Sequence, residues 1–291
     1  MQSQPEDWRT AYQHDGFVVV PDVLDPRTLL QLSEGLDQIT RHPEQVPTHL
    51  REHLGFERDH VRHHPQWYLD LTPDQCGNSV RQIAELALFD ARFADVIGCP
   101  PLLEVLECLF ASPEFSFCLL VGRPKAARVG NGIQNGHFHR DTPGEALTSA
   151  NTITVLMCLD AMSPANGSTI FLRGSHMVSD DEARQPSWRD VPAERLPPGE
   201  QVAVRCPAGA GIFFSSKILH AAPHNRSGSP RRTLLSVWAG PDVLPTSAER
   251  SVYQGVKPRS RQPAYAHQMR RTFPHLFPRQ GSAEGIAARA T

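Results

Sequence analysis

The second half of the chain consists of short apolar segments separated by turn-forming residues. Six such segments, rich in β-branched and aromatic residues, fall between about residue 115 and residue 240: FSFCLLVG, NTITVLMCLD, STIFLRG, EQVAVRCPA, GIFFSS and RRTLLSVWAG. Gly, Pro, Asn and Ser lie between them. Many short strands at this spacing are typical of an all-β sandwich or barrel. We therefore predict a mainly β core for this part of the chain.

The first part of the chain has the pattern of a helical cover. A short helix is predicted to end at Gly16, followed by the strand FVVV and by a helix that starts at the Asp25 cap and Pro26. Residues 42–75 are polar and rich in Pro and His, which indicates loops and short helices. Apolar spacing predicts helices in SVRQIAELALFDARFADVIG and in PPLLEVLECLF.

These patterns predict a single domain in three parts. Residues 1–112 form a mostly helical cover, residues 113–245 the β core, and residues 246–291 a polar, Pro-rich C-terminal extension. A net charge of -2 and a pI near 6.7 give no reason to expect nucleic acid or an anionic membrane as partner. The sequence shows neither a signal peptide nor an apolar run of membrane-spanning length, so we expect a soluble cytoplasmic protein. Its six cysteines lack a CxxC pair, which argues against a disulfide framework and a thiolate zinc site.

The stretch GHFHRDTPG at the edge of the β region contains a candidate metal site. In a strand, the side chains of His139 and Asp141 point to the same face about 6.6 Å apart, close enough to bind one ion. A third ligand must come from another strand, where KILHAAPHNRSGSPRR offers His220 and His224. Two histidines and one carboxylate that leave open positions are the arrangement expected for non-haem Fe(II) oxygenases.

Open metal positions require further ligands. A 2-oxo acid can occupy two of them and leave one for O₂, and its distant carboxylate then suits an Arg partner better than a Lys. Arg231 and Arg232 lead the strand that follows the distal histidines. Because side chains alternate along a strand, only one of these two arginines can face inward.

Several of these segments together resemble a known family. FHRD, ANGSTIFLRGSH and HAAPHNRSGSPRR resemble the three signature blocks of the phytanoyl-CoA dioxygenase family of Fe(II)/2-oxoglutarate-dependent oxygenases, in the same order. AYQHDGFVVVPDVLDPRTLLQL is similar to the N-terminal segment of that family, so the resemblance spans roughly residues 10 to 240. It implies a double-stranded β-helix, which is a cupin-like jelly roll, with helices outside.

The resemblance also implies site residues and a reaction. His139, Asp141 and His220 would bind Fe(II), and Arg231, eleven residues after the distal histidine, would bind 2-oxoglutarate. Thr169 would hydrogen-bond the same cosubstrate. Related halogenases lack the carboxylate ligand, so Asp141 favours a hydroxylase. We expect a dioxygenase that oxidises a small organic molecule with O₂ and releases succinate and CO₂; the substrate class suggested by the family is an intermediate of secondary-metabolite biosynthesis.

Two other functions compete with this interpretation. His137, His139 and His220 could form the three-histidine site of a zinc-dependent lyase or hydrolase. His137 and Asp141 would lie about 13 Å apart along an ideal strand, so the metal can take only one of the two pairs, and the downstream blocks favour 139 and 141. A non-catalytic cupin-like binding protein is the second alternative, although it would be expected to have an incomplete site.

Other polar and aromatic residues have plainer interpretations. We expect His176 to make a structural hydrogen bond, and Trp67, Tyr68 and the Phe residues to fill the core more often than to contact substrate. The histidine-rich segment RDHVRHHPQ, with His60, His63 and His64, is interpreted as a solvated part of the cover that can line the substrate entrance, rather than as a second metal site.

Overall fold

A computed structural model describes residues 5–65, 71–127, 137–141, 147–188, 190–244 and 253–262. In these ranges the chain forms two antiparallel β-sheets, and helices pack on the outer face of the larger sheet. Trp67, Tyr68 and most of the predicted C-terminal extension lie outside the described residues. No helix in the described ranges is long and apolar enough to cross a membrane.

Short strands make up both sheets. The strands are β1 (Phe17–Val20), β2 (Leu54–Phe56), β3 (Val80–Ile83), β4 (Ser116–Lys125), β5 (Thr152–Cys158), β6 (Ile170–Leu172), β7 (Gln201–Ala203), β8 (Gly211–Ser215), β9 (His220–Ala221) and β10 (Arg231–Ala239). The larger sheet has the order β1–β8–β5–β10–β4–β3–β2, and the smaller sheet has the order β7–β6–β9. All strand pairs are antiparallel, as expected for a double-stranded β-helix.

The helices come mainly from the first 112 residues. They are α1 (Pro5–Asp15), α2 (Pro26–Arg41), α3 (Glu57–His63), α4 (Pro73–Cys76), α5 (Pro100–Phe110) and α6 (Asp180–Ala183). The start of α2 is as predicted, because the Asp25 side chain accepts hydrogen bonds from the backbone N–H groups of Arg27 (2.9 Å) and Thr28 (3.1 Å). The first helix ends before Gly16, also as predicted.

Two layers of apolar side chains surround the larger sheet. The outer layer lies between the sheet and the helices, where Leu36 of α2 and Leu106 of α5 join Leu234 of β10 in one buried cluster. The inner layer lies between the two sheets and includes Phe171 of β6 and Phe214 of β8. Because the central strands are buried on both faces, their sequences are almost uniformly apolar instead of alternating.

The segment SVRQIAELALFDARFADVIG does not form the predicted helix. Residues Val80–Ile83 form β3, and the residues after it form the short 3₁₀ helices Leu86–Leu88 and Ala91–Gly98. Ile83 pairs with Gly122 of β4, which extends the larger sheet. Glu85 adopts a left-handed conformation (φ 51°) that no α-helix accommodates. Short apolar runs fit helices and strands equally well by spacing, and pairing with β4 decides between them here.

Candidate metal centre

His139 and His220 are held next to each other by their own backbone. The N–H of each residue donates to the carbonyl oxygen of the other at 2.9 Å, which makes an isolated antiparallel bridge between residue 139 and strand β9. Their rings lie 4.3 Å apart between centroids. Asp141 follows two residues after His139 and returns to the same face, as the strand period of two predicts.

The three predicted ligands converge. His139 Nε2 lies 3.5 Å from Asp141 Oδ1, and His220 Nε2 lies 3.6 Å from Asp141 Oδ2. One ligand atom from each residue falls within 4.8 Å of the others. Ligand atoms about 2.0–2.2 Å from one ion and at right angles to each other lie roughly 3 Å apart, so small movements suffice to bind a metal. Two imidazole nitrogens and a carboxylate oxygen are also the donor set that suits Fe(II) with open positions.

The charge states of these ligands favour metal binding. Burial lowers the pKa of His220 to about 4, so its ring is neutral near pH 7. Its Nδ1 lies 3.2 Å from the carbonyl oxygen of Ile218, which places the proton on Nδ1 and leaves the Nε2 lone pair towards Asp141. Burial raises the pKa of Asp141, but His220, His139 and Arg123 lower it more, and the net result is a carboxylate with a pKa below its ordinary value.

A cavity that is open to solvent lies between the two sheets next to these ligands. Leu156, Phe214 and Leu235 give it an apolar wall. The polar part of its lining comes from both sheets and consists of Arg123, His139, Asp141, Thr169, His220, Arg231 and Thr233. Predicted residues Thr169 and Arg231 therefore face the same space as the metal ligands.

The two neighbouring arginines at the start of β10 point in opposite directions. Arg231 is 5% exposed and lines the cavity, where its Nη1 lies 3.7 Å from Met162 Sδ and its buried Nε has no hydrogen-bond partner. Arg232 points to the helical side, where it forms salt bridges with Asp160 (2.7 Å) and Asp37 (2.8 Å). The alternation of the strand thus selects Arg231 as the cavity-facing arginine.

Lys125 connects the loops around the cavity. This fully buried residue of β4 donates to the carbonyl oxygens of Gly167 (3.1 Å), Ala222 (3.4 Å) and Pro223. Gly167 has a positive φ of 70°, and a Cβ there would lie 2.3 Å from the Pro223 oxygen. Only glycine allows the turn before Thr169 to approach the loop after His220 this closely.

The remaining histidines lie outside the triad. His137 forms an ion pair with Asp190 (2.6 Å) and is not a member of the ligand cluster found among the described residues, which does not support the three-histidine zinc site. His176 donates from Nε2 to the carbonyl oxygen of Gln13 (3.1 Å), as the structural interpretation predicted. His60 lies on α3 with its ring centroid 4.7 Å from that of His64 and the two rings tilted by 44°, and the charges of Arg81 and Arg123 act on it.

Two basic residues were not predicted from the sequence: Arg123, which lines the cavity, and Lys125, which holds the loops beside it. They occupy alternate positions of β4, and the register places them opposite Thr233 and Arg231 of β10. The segment VGRPK gives no local signal of a site, because basic residues are common at strand ends. Two charged residues at i and i+2 in an otherwise apolar strand could have suggested a polar cavity face.

Known proteins share this fold. The Fe(II)/2-oxoglutarate-dependent dioxygenase nvfF of Aspergillus novofumigatus is 23% identical over 252 residues, which cover 83% of this chain and 74% of the relative. The epimerase SnoN, solved with Fe3+, alpha ketoglutarate and nogalamycin RO, aligns with a TM-score of 0.59 at 19% identity over 84% of this chain and 86% of SnoN. EctD from S. alaskensis, solved with 2-oxoglutarate and 5-hydroxyectoine, aligns with a TM-score of 0.61 at 18% identity over 82% and 78% of the two chains.

A family model matches most of the chain as well. It is described as phytanoyl-CoA dioxygenase (PhyH), and it matches residues 12–233. That range contains the three candidate metal ligands, Arg231 and all strands except most of β10. The chain therefore belongs to the phytanoyl-CoA dioxygenase family and is an oxidoreductase of the Fe(II)/2-oxoglutarate-dependent type.

Proposed function

We propose that the protein binds Fe(II) through His139, Asp141 and His220 and oxidises a small organic molecule with 2-oxoglutarate and O₂ as cosubstrates. The observation that carries this proposal is the convergence of the three ligand atoms within 4.8 Å beside a cavity that also contains a buried arginine. One end of a dicarboxylate could bind a metal with open positions, and the other end could pair with the guanidinium.

The metal with its cosubstrate supplies the oxidising power for cleavage of an unactivated C–H bond, with succinate and CO₂ as the products of 2-oxoglutarate. The protein positions and shields the reactants. Arg231 binds the distal carboxylate of 2-oxoglutarate, and Thr169 donates a hydrogen bond to the same molecule. Leu156, Phe214 and Leu235 line one side of that space with an apolar surface.

Hydroxylation is the reaction that we assign to this site. Asp141 occupies the carboxylate position that halogenases of this type lack, which supports oxygen transfer over chloride transfer. SnoN has the same fold and is an epimerase, so the fold by itself supports several outcomes. A small molecule from secondary metabolism is the substrate class that we favour.

Succinate release tests the proposal directly. Purified protein is incubated with Fe(II), 2-oxoglutarate and O₂, and succinate is measured, because enzymes of this type turn over slowly without their substrate. We expect release that requires all three components. His139→Ala should abolish the release, whereas His137→Ala, which alters a neighbouring histidine paired with Asp190, should retain it.

Metal and cosubstrate binding are measured on the same preparations. Loss of both metal content and succinate in His139→Ala, with both retained in His137→Ala, would support the assigned triad. Zinc as the sole bound metal, together with no binding of 2-oxoglutarate to wild-type protein under anaerobic conditions, would refute the proposed function. That result would favour a zinc-dependent lyase or hydrolase, or a non-catalytic cupin-like binding protein.

A further inference from the structure

Arg123 is a cavity cation without an assigned partner. Its side chain lines the same cavity as the proposed metal ligands; among the described residues, its buried Nε has no hydrogen-bond partner and no carboxylate forms a salt bridge with it. Two other basic residues of this region do have partners. Lys125 is saturated by backbone carbonyls, and Arg232 is paired with two aspartates.

The surroundings of Arg123 do not neutralise it. Burial and the charge of Arg81 lower its pKa to about 10, while Asp141 and Glu57 oppose that change, so it remains a cation near pH 7. Asp141 is the proposed iron ligand, and its negative charge is offset once a divalent cation binds there. With Asp141 bound to the metal, an anionic ligand that pairs with the buried guanidinium is favourable at this position.

The cosubstrate does not account for Arg123. In the register of β4 and β10, Arg123 is opposite Thr233 and Arg231 is opposite Lys125, so the two arginines enter the cavity from separate positions of neighbouring strands. 2-Oxoglutarate has two carboxylates, of which one is assigned to the metal and the other to Arg231. An anion at Arg123 must therefore belong to another molecule.

The rest of the cavity defines what that molecule looks like. Its apolar wall comes from Leu156, Phe214 and Leu235. Helix α3 lies close to Arg123, because the charges of Arg81 and Arg123 both lower the pKa of its His60. An occupant with one anionic end and an apolar body would match this combination of a cation and an aliphatic and aromatic surface.

We propose that Arg123 binds an oxyanion of the substrate, either a carboxylate or a phosphate ester, and that the substrate is an organic acid with an apolar body. This assignment rests on the proposed function, because it places the substrate beside the iron and 2-oxoglutarate. A guanidinium binds such oxyanions with paired, charge-assisted hydrogen bonds.

Three fluorinated probes can test the assignment. The protein is loaded with Co(II) as a paramagnetic substitute for iron and saturated with 2-oxoglutarate, and the ¹⁹F NMR line width of each probe is followed during titration. The probes are 4-fluorophenylacetate, 4-fluorophenyl phosphate and the uncharged 4-fluorophenylacetamide. Two variants are compared with wild type, namely Arg123→Gln and the surface control Arg205→Gln. Binding of 2-oxoglutarate to each variant is measured separately by calorimetry.

We expect at least one anionic probe to bind wild type about tenfold or more tightly than the amide, with the preferred anion identifying carboxylate or phosphate. Arg123→Gln should remove that preference and change the Kd of 2-oxoglutarate by less than about twofold; Arg205→Gln should preserve both. The assignment would be overturned if the charged and uncharged probes bound wild type with equal affinity, or if none of them bound. So would a variant that weakens 2-oxoglutarate instead, because Arg123 would then belong to the cosubstrate site. Failure of wild type to bind 2-oxoglutarate would refute the proposed function itself.

Discussion

Replacing each of the two adjacent arginines of β10 by methionine should produce opposite effects on stability and on cosubstrate binding. Arg231 is buried, faces the cavity and has no carboxylate partner among the described residues, whereas Arg232 forms salt bridges with Asp160 and Asp37 on the other face of the strand. We expect Arg231→Met to reduce the affinity for 2-oxoglutarate and to leave the ligand-free fold as stable as before or more stable. Arg232→Met should lower the stability and leave the affinity for 2-oxoglutarate nearly unchanged.

The structure sets the size of each effect. Burial lowers the pKa of Arg231 from its ordinary value to about 10, which corresponds to a penalty of about 3 kcal/mol on the cation. Near pH 7 the residue is charged in both the folded and the unfolded chain, so the full penalty weakens the ligand-free fold, and it begins to decrease only above about pH 10. Two charge-assisted hydrogen bonds to a carboxylate contribute at least about 3 kcal/mol, which is roughly a hundredfold in Kd.

Arg232→Met should instead lower the free energy of unfolding. The guanidinium donates from Nε (2.9 Å) and Nη2 (2.7 Å) to Asp160, and its loss leaves a half-buried carboxylate without its partner. Such a loss costs roughly 1–3 kcal/mol. The Kd of 2-oxoglutarate should stay within about threefold of the wild-type value, because this side chain does not reach the cavity.

Two measurements on metal-loaded and metal-free protein check this pair. Anaerobic calorimetry gives the Kd of 2-oxoglutarate for the metal-loaded variants, and urea denaturation of the metal-free variants gives their free energies of unfolding. Similar losses of 2-oxoglutarate affinity in both variants would refute the assignment of the inward-facing side chain. A large loss of stability in Arg231→Met would contradict the view that its charge lacks a protein partner.

Three further substitutions address other parts of the structure. Burial and the charge of Arg81 lower the pKa of His60 from 6.5 to about 3, so the unfolded chain binds a proton at this residue more readily than the folded chain between these two pH values. The Tm of His60→Gln should therefore fall less than that of wild type between about pH 7 and pH 5. An equal fall of both Tm values in thermal denaturation would contradict this prediction. Lys125→Met leaves three carbonyl oxygens without their donor and should lower the free energy of unfolding, measured in urea, by about 1–3 kcal/mol. An unchanged midpoint of urea denaturation would argue against a stabilising role for these three hydrogen bonds. Thr169→Val removes one proposed hydrogen bond and should raise the KM for 2-oxoglutarate about fivefold in the succinate assay, with no change if the hydroxyl is only structural.

The cluster of candidate metal ligands was predictable because strand geometry acts locally. Side chains two residues apart share a face, so the His139 and Asp141 pair needed only one distant partner. The eleven-residue spacing to Arg231, which favours His220 over His224, is implied by the family resemblance. The same alternation predicted that only one arginine of the pair at 231 and 232 faces inward. The residues alone left His220 and His224 as candidates for the third ligand, and the family resemblance then selected His220.

The missed and mistaken features depend on contacts distant in sequence. Arg123 becomes a cavity residue only because β4 pairs with β10 in a register that sets it opposite Thr233. The helix predicted across residues 79–98 fails because the first part of the segment completes the larger sheet. Local spacing contains no information about which neighbour a short apolar run will find.

The mutual backbone bridge between His139 and His220 has a consequence for how the metal enters and leaves. Since peptide groups and not the ion fix the spacing of the two rings, we expect the two histidines to stay in place when an ion leaves, so that the protein should be reloaded without refolding. A pocket prepared in this way accepts any divalent first-row ion of suitable size, and intrinsic affinity rises from manganese through iron and cobalt towards copper. Occupancy by ferrous ion is then decided by the supply of metals around the protein, and cobalt or nickel should yield a filled but inactive enzyme.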